Sequence, residues 1–281
     1  MIDLHVHSRF SDGLCTPEAL VERASETPLS ALALTDHDTL AGVPRFLAAA
    51  AAAGLRAVSG LELSVDYGET TVHLLGYGCD PGDAGLQSAL VRVREGRHRR
   101  NVEILSRLSR LGCAITWPDV LARAGDPTVV GRPHFAAVLA AKGYARGHRD
   151  AFTRYLGRGA PAYVERDRLE PEAAIARIRG AGGVAVLAHP GLCGLSDDSL
   201  REFVRRLADG GLGGLEAWHP SHGRRQVELF VALAASLGLI TTGGSDFHGA
   251  TATDATPGFG AGVPAVPDAC FDTLLARISE S

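Results

Sequence analysis

Histidine, aspartate and glutamate recur in this chain in short clusters whose types and spacing suit divalent metal ions. DLHVH carries His5 and His7 one residue apart, and Asp12 follows five residues after His7. LTDHD holds His37 between Asp36 and Asp38, GLELS holds Glu62, and TVHLLG holds His73. AHP holds His189, and GSDFH holds Asp246 and His248. Setting aside Asp36 and Asp38, which read as support for neighbouring ligands and as helix caps, six of the eleven histidines and three carboxylates remain. One ion takes about four to six donors, part of them water, so nine side chains suit two or three ions with one residue bridging. Imidazole and carboxylate donors without thiolate favour Mn, Fe or Zn over Mg or Ca.

The elements around these residues explain how they could meet. MIDLHVH alternates apolar and polar residues and reads as a strand, so His5 and His7 aim to one face. TPEALVERASE reads as a helix, with Thr16 as N-cap and Pro17 at the first helical position. SALALTDHD and LRAVSGLELS read as strands on either side of the helix GVPRFLAAAAAAG, and TTVHLLGYG reads as a fourth strand. The same rhythm returns late, with strands at VAVLAHP, GLEAWHP and LITTGGSDFH separated by amphipathic helices. Strands alternating with helices predict parallel βαβ units. About seven strands suit a barrel, with an open doubly wound sheet as the alternative. In both, chemistry gathers at the C-terminal ends of the strands. On this reading Asp246 and His248 share a strand face, as His5 and His7 do, and the candidates fall where strands end. Residues 82–160 are mostly helical and read as an insertion into a β/α domain formed by 1–81 and 161–281.

Composition removes other classes. A net charge of −4 gives no global basic field for nucleic acid, so any polyanion needs a local site. No apolar run reaches the roughly 20 residues that span a bilayer. Five cysteines without a CxxC pair, and no signal peptide before the first strand, predict a reduced cytoplasmic setting.

HVHSRFSDG, LTDHD, GLELS, VHLLGYG, AHP and GSDFH together resemble the motifs of the polymerase and histidinol phosphatase (PHP) superfamily of metal-dependent phosphoesterases. The likeness runs over the whole chain and is nearest to the branch of 3',5'-nucleoside bisphosphate phosphatases and 5'-to-3' oligoribonucleases. It implies a distorted seven-stranded (β/α) barrel with a mainly helical insertion and two or three divalent metals. It also implies that His5, His7, Glu62 and Asp246 hold one ion. Glu62 would bridge to a second completed by His73 and His189, with Asp12, His37 and His248 on a third. The amidohydrolases also open with HxH, but many bridge their metals with a carboxylated lysine. The only lysine here, Lys142, lies in a helical stretch.

A metal-held hydroxide attacking a phosphomonoester is the expected chemistry, with His37 and Asp246, or the neighbouring Asp36, as candidates for handling protons. Arginines in RVREGRHRR (92–100) and GRPH (131–134) suit a second phosphate, because the planar guanidinium binds phosphate in a bidentate fork. The resemblance places substrate contacts at Arg100, Asn101 and Arg132 in this insertion, with His134 beside Arg132, and at His222 in HPSH. The favoured reading is removal of the 3'-phosphate of nucleoside 3',5'-bisphosphates, with 5'-to-3' hydrolysis of short RNA as a further activity. The expected partner is a small nucleotide or short oligoribonucleotide, with no membrane or protein partner implied. Histidinol-phosphate phosphatase is the alternative enzyme, and a non-catalytic metal-binding module is the alternative of another class.

Overall fold

The structure is a computed structural model that describes residues 1–67, 70–124, 130–165, 169–249 and 265–281. In chain order its elements are β1 (Ile2–Val6), α1 (Pro17–Ser25), β2 (Ala31–Leu34), α2 (Val43–Ala53), β3 (Arg56–Tyr67), β4 (Thr70–Tyr77) and α3 (Ala84–Arg110). Helices α4 (Trp117–Ala124), α5 (Arg132–Ala141) and α6 (His148–Ala151) follow, the last continuing into a π-helical turn at Phe152–Leu156. Then come α7 (Pro171–Gly180), β5 (Val184–Leu187), α8 (Asp197–Asp209), β6 (Gly214–Trp218), α9 (Arg224–Ser236), β7 (Ile240–Gly243) and α10 (Ala269–Ser279). Local signals act as expected: Thr16 Oγ1 accepts the N–H of Ala19 at 3.2 Å, and α2 ends at Gly54 in the left-handed region (φ 66°).

The chain forms two compact units, one of residues 1–90 and 169–281, the other of 91–168. The division falls inside α3 rather than at residue 82, because the helix begins among residues that pack on the first unit's core: Leu86 and Leu90 are fully buried there. The second unit has its own core, built on Ile104, Leu108, Val120, Phe135, Leu139 and Leu156.

The first unit contains a seven-stranded sheet in the order β1-β2-β3-β4-β5-β6-β7. It curls nearly into a closed barrel. Val6 forms a bridge with Phe247, just beyond β7, and the N–H of His7 donates to the Phe247 carbonyl at 2.8 Å. Gly244 permits this approach, since a Cβ there would fall on the backbone nitrogen and Cβ of His5.

Six strands run one way, but β4 is antiparallel to both β3 and β5. This corrects the expectation of uniformly parallel strands. Only two residues separate β3 from β4, far too few for the crossover a parallel pair needs. Two consequences follow for the site. His73 comes from the first half of β4, where it pairs with Ser64. Glu62 lies inside a twelve-residue β3, but the β2–β3 ladder ends at Leu34–Ser59, so Glu62 stands just past the parallel register and is bridged to His37.

The late strand is shorter than expected. β7 ends at Gly243, and Asp246 takes a left-handed backbone (φ 53°). Asp246 and His248 therefore meet through a turn, in which Nδ1 of His248 lies 2.7 Å from the Asp246 carbonyl. Among the described residues no helix is long and apolar enough to cross a membrane.

Candidate metal centre

The nine candidates converge. Nε2 of His5 and Nε2 of His7 lie 3.3 and 3.2 Å from Oε2 of Glu62, and 3.3 and 3.1 Å from Oδ1 of Asp246. The Oε2 atom also faces Nδ1 of His37 at 3.1 Å. The other oxygen of Glu62, Oε1, faces Nδ1 of His73 at 2.7 Å and Nε2 of His189 at 3.0 Å. Asp12 lies 3.2 Å from Nε2 of His248 and 3.6 Å from Nε2 of His37. Three donor groups result, each with ligand atoms within 4.8 Å of one another: His5, His7, Glu62 and Asp246; His37, Glu62 and His73; and His7, Asp12, His37 and His248. His7 and His37 each belong to two groups, and His189, though beside Oε1 of Glu62, belongs to none, which differs from the division the resemblance implies.

These spacings fit metal ions. Donor atoms bonded to one ion at about 2.1 Å stand roughly 3.0–3.4 Å apart in octahedral to tetrahedral geometry. Buried and without a hydrogen-bond partner are Nε2 of His5, Nε2 of His7, Oδ1 of Asp12, Nδ1 of His37, Oε2 of Glu62 and Oδ1 of Asp246. Buried polar atoms rarely go unsatisfied, so a cluster of them aimed at one place calls for a ligand.

The supporting groups set the ring tautomers. Nδ1 of His5 lies 2.8 Å from Oε1 of Glu216, which can only accept, so in the neutral ring that binds metal Nδ1 carries the proton and the Nε2 lone pair faces the centre. Carbonyl acceptance at Nδ1 of His248 does the same. Glu216 is fully buried on β6, and its second oxygen accepts the N–H of His189 at 2.7 Å. That bond holds His189 in a strained backbone (φ 26°). Asp38, His189 and Asp246 are the non-glycine residues with positive φ among those described, and all three are at the centre. Asp36 accepts from the Ser8 N–H, the Ser8 hydroxyl and the Ser11 hydroxyl, each at 2.7 Å, and so fixes the loop that carries Asp12. Asp3 accepts from Ser245 N–H and Oγ and ties β1 to the Asp246 turn; burial pushes its carboxyl up to about 6 against these bonds.

Glu216 has no cue beyond being an acidic residue inside the apolar run GLEAW, and sequence reasoning passed over it. Glu216→Gln is expected to weaken metal binding by about 10- to 100-fold, because an amide cannot accept from both the His5 ring and the His189 N–H. Competition with a metal chelator measures it, and an unchanged affinity would refute this role.

The expected substrate contacts divide between the two units. Nδ1 of His222 lies 2.9 Å from the Ala217 carbonyl and Nε2 accepts the N–H of Gly191 at 3.2 Å, so both nitrogens have partners within the protein. The remaining four are in the second unit. Asn101 is fully buried, taking the Arg100 guanidinium on Oδ1 and donating to the Val130 carbonyl. Nδ1 of His134 accepts the N–H of Gly131 and caps α5. The Arg132 guanidinium lies over the rings of Phe152 and Tyr163.

A near-closed barrel with one reversed strand, carrying a histidine–carboxylate cluster at the strand ends, defines a class, and the comparisons identify it. The PHP domain model matches residues 3–156, and the chain belongs to the PHP family. Its relatives include the 3',5'-nucleoside bisphosphate phosphatase of Chromobacterium violaceum, 37% identical over 88% of this chain and 87% of that one. The 5'-3' exoribonuclease Rnm of Salmonella typhimurium is 35% identical over 88% of this chain and 84% of its own length. A solved Chromobacterium violaceum structure, described as an amidohydrolase with bound sulfate and no metal, superposes with a TM-score of 0.85 at 35% identity, covering 98% of this chain and 96% of that one. A carboxylated-lysine bridge of the amidohydrolase kind has no counterpart here. The lone Lys142 lies in the second unit, bonded to Asp119 and the Ala114 carbonyl.

Proposed function

We propose that this chain is a metal-dependent phosphoesterase that removes the 3'-phosphate of nucleoside 3',5'-bisphosphates. The observation that carries this reading is the division of Glu62, whose two oxygens face separate sets of imidazoles, as a residue bridging two ions must. We assign His5, His7, Glu62 and Asp246 to one ion, Glu62, His73 and His189 to a second, and Asp12, His37 and His248 to a third. Mn is the assigned metal, with Fe and Zn as alternatives that the same donors accept. Divalent ions held here supply Lewis acidity toward phosphoryl oxygens and lower the pKa of water.

The chain's own residues arrange the rest. Glu216 and Asp36 fix ligand orientation before substrate arrives. His37 and Asp246 are assigned to ligation rather than proton transfer. Both nitrogens of His37 face carboxylates, at 3.1 and 3.6 Å, and burial pulls its pKa down to about 4. Burial raises the Asp246 carboxyl, but His5, His219 and His7 outweigh it and hold the group far below the carboxylate range, which makes it a poor base. Arg132 is assigned to the second phosphate of the substrate, on the chemistry of its guanidinium. Similarity to the Chromobacterium phosphatase supports the bisphosphate, and similarity to the exoribonuclease supports short RNA as a second substrate. Free thiols at all five cysteines are consistent with action in the cytoplasm.

Phosphate release with added Mn tests this, using adenosine 3',5'-bisphosphate, AMP, histidinol phosphate and a short 5'-phosphorylated RNA. The bisphosphate is expected to exceed AMP and histidinol phosphate by at least about tenfold in kcat/KM, the worth of one charged hydrogen bond. Preference for histidinol phosphate would move the assignment to that ester. Absence of turnover with metal bound would make the chain a binding module.

A further inference from the structure

His219 follows β6, is 5% exposed and belongs to none of the three donor groups. Its Nε2 is buried without a hydrogen-bond partner, 3.5 Å from Oδ2 of Asp246, whose Oδ1 faces His5 and His7. The ring packs beside His189 at 5.3 Å and His5 at 6.4 Å between centroids. The question is what an unpartnered nitrogen does at the edge of a metal centre.

Its other nitrogen answers. Nδ1 receives the backbone N–H of Ser221 at 3.1 Å and lies 2.7 Å from that residue's hydroxyl. A backbone N–H can only donate, so Nδ1 must offer a lone pair, and the proton of the neutral ring sits on Nε2. This is the reverse of His5 and His248, where an acceptor opposite Nδ1 leaves the Nε2 lone pair free. A metal ligand needs that lone pair and His219 does not have it there. His219 therefore presents a fixed N–H at Nε2.

We propose that His219 is a catalytic hydrogen-bond donor: its Nε2–H binds a non-bridging oxygen of the phosphoryl group held at the centre. It donates a hydrogen bond and transfers no proton. Such a donor strengthens as charge builds on the phosphoryl oxygens, and a buried one needs no reorientation. This rests on the phosphoesterase reading for its substrate, but not for its hydrogen-bond geometry.

The test uses the Mn-loaded full chain, with inorganic phosphate as the probe, in wild type, His219→Ala and His219→Gln. In the alanine variant phosphate affinity is expected to fall about tenfold and kcat/KM by about 10²- to 10³-fold, with metal content as in wild type. Glutamine, which places an N–H near the same point, is expected to recover most of both. Loss of metal in the alanine variant would make His219 a ligand and overturn the proposal, as would unchanged phosphate affinity. If wild type turns over no phosphoester yet phosphate binding still weakens in the variant, the function fails and the anion donor stands. Long-range proton–nitrogen correlation spectra of the wild-type histidines read the tautomer directly, and a proton on Nδ1 of His219 would also refute it.

Discussion

Replacing Glu62 with glutamine is expected to lower kcat/KM by on the order of 10⁴-fold, the largest effect of any single substitution in this centre. The reason is position as well as charge. Glu62 is 1% exposed and its oxygens touch five imidazoles, three through Oε2 and two through Oε1. Burial alone would raise its carboxyl, but His37, His73 and His5 outweigh that and hold it well below the usual range. An amide of the same shape carries no charge, and its nitrogen directs hydrogens at one of the two imidazole sets. Losing bridging stabilisation of about 5 kcal/mol gives the stated factor. His73→Ala is expected to remove less metal than Glu62→Gln, because it belongs to one donor group and Glu62 to two. Metal content measured beside activity checks this. A glutamine variant that keeps its full metal complement would show that Glu62 does not bridge.

Stripping the metal is expected to reverse the pH dependence of stability between about pH 6.5 and 10. In the metal-free centre burial disfavours charge on the His7 ring, but the carboxylates of Asp246 and Glu62 beside it prevail and raise its pKa from 6.5 to about 10. His5 is likewise raised, with Glu216 the leading attractive charge against burial. A raised histidine pKa contributes stability that is complete below the unfolded value near 6.5 and is lost as pH climbs through the folded value. The metal-free protein should therefore weaken from neutral pH toward pH 10. The depressed carboxyls of Asp12, Glu62 and Asp246 act at the other end, contributing above their unfolded values near pH 4 and losing that contribution in acid. Ligation needs neutral rings, so metal competes with the protons on His5 and His7 and binds more tightly as pH rises. The gap in Tm between loaded and stripped protein should widen over this interval, and loading near neutral pH should release protons. Calorimetry in buffers of different ionisation enthalpy counts them. A gap that narrows with rising pH, or loading without proton release, would contradict the electrostatics described.

How much of this was legible in the sequence depended on whether a local rule decided the geometry. The His5–His7 pair was, because alternation along a strand is fixed by the pleat and both rings do meet the same oxygen of Glu62. The strand-end clustering was legible too, since apolar runs ending in polar residues mark where parallel strands finish. The direction of β4 was not: TTVHLLGYG carries no sign of polarity, and only the tight β3–β4 connection reverses it. Asp246 and His248 were paired for the wrong reason, because the left-handed turn at Asp246 overrides the period of two. Glu216 and His219 were missed as contributors because their importance lies in what faces them. The backbone of Ala217 and Gly191, which meets both nitrogens of His222, was likewise invisible in the HPSH motif.

The central claim is that one carboxylate divides this cluster into separate metal positions. Anomalous diffraction from Mn-loaded crystals, collected on both sides of the Mn absorption edge, tests it most directly. At least two peaks are expected, one beside each oxygen of Glu62, with His5, His7 and Asp246 around the first and His73 and His189 around the second. A single peak bound through one oxygen only, or metal outside the cluster, would contradict the account.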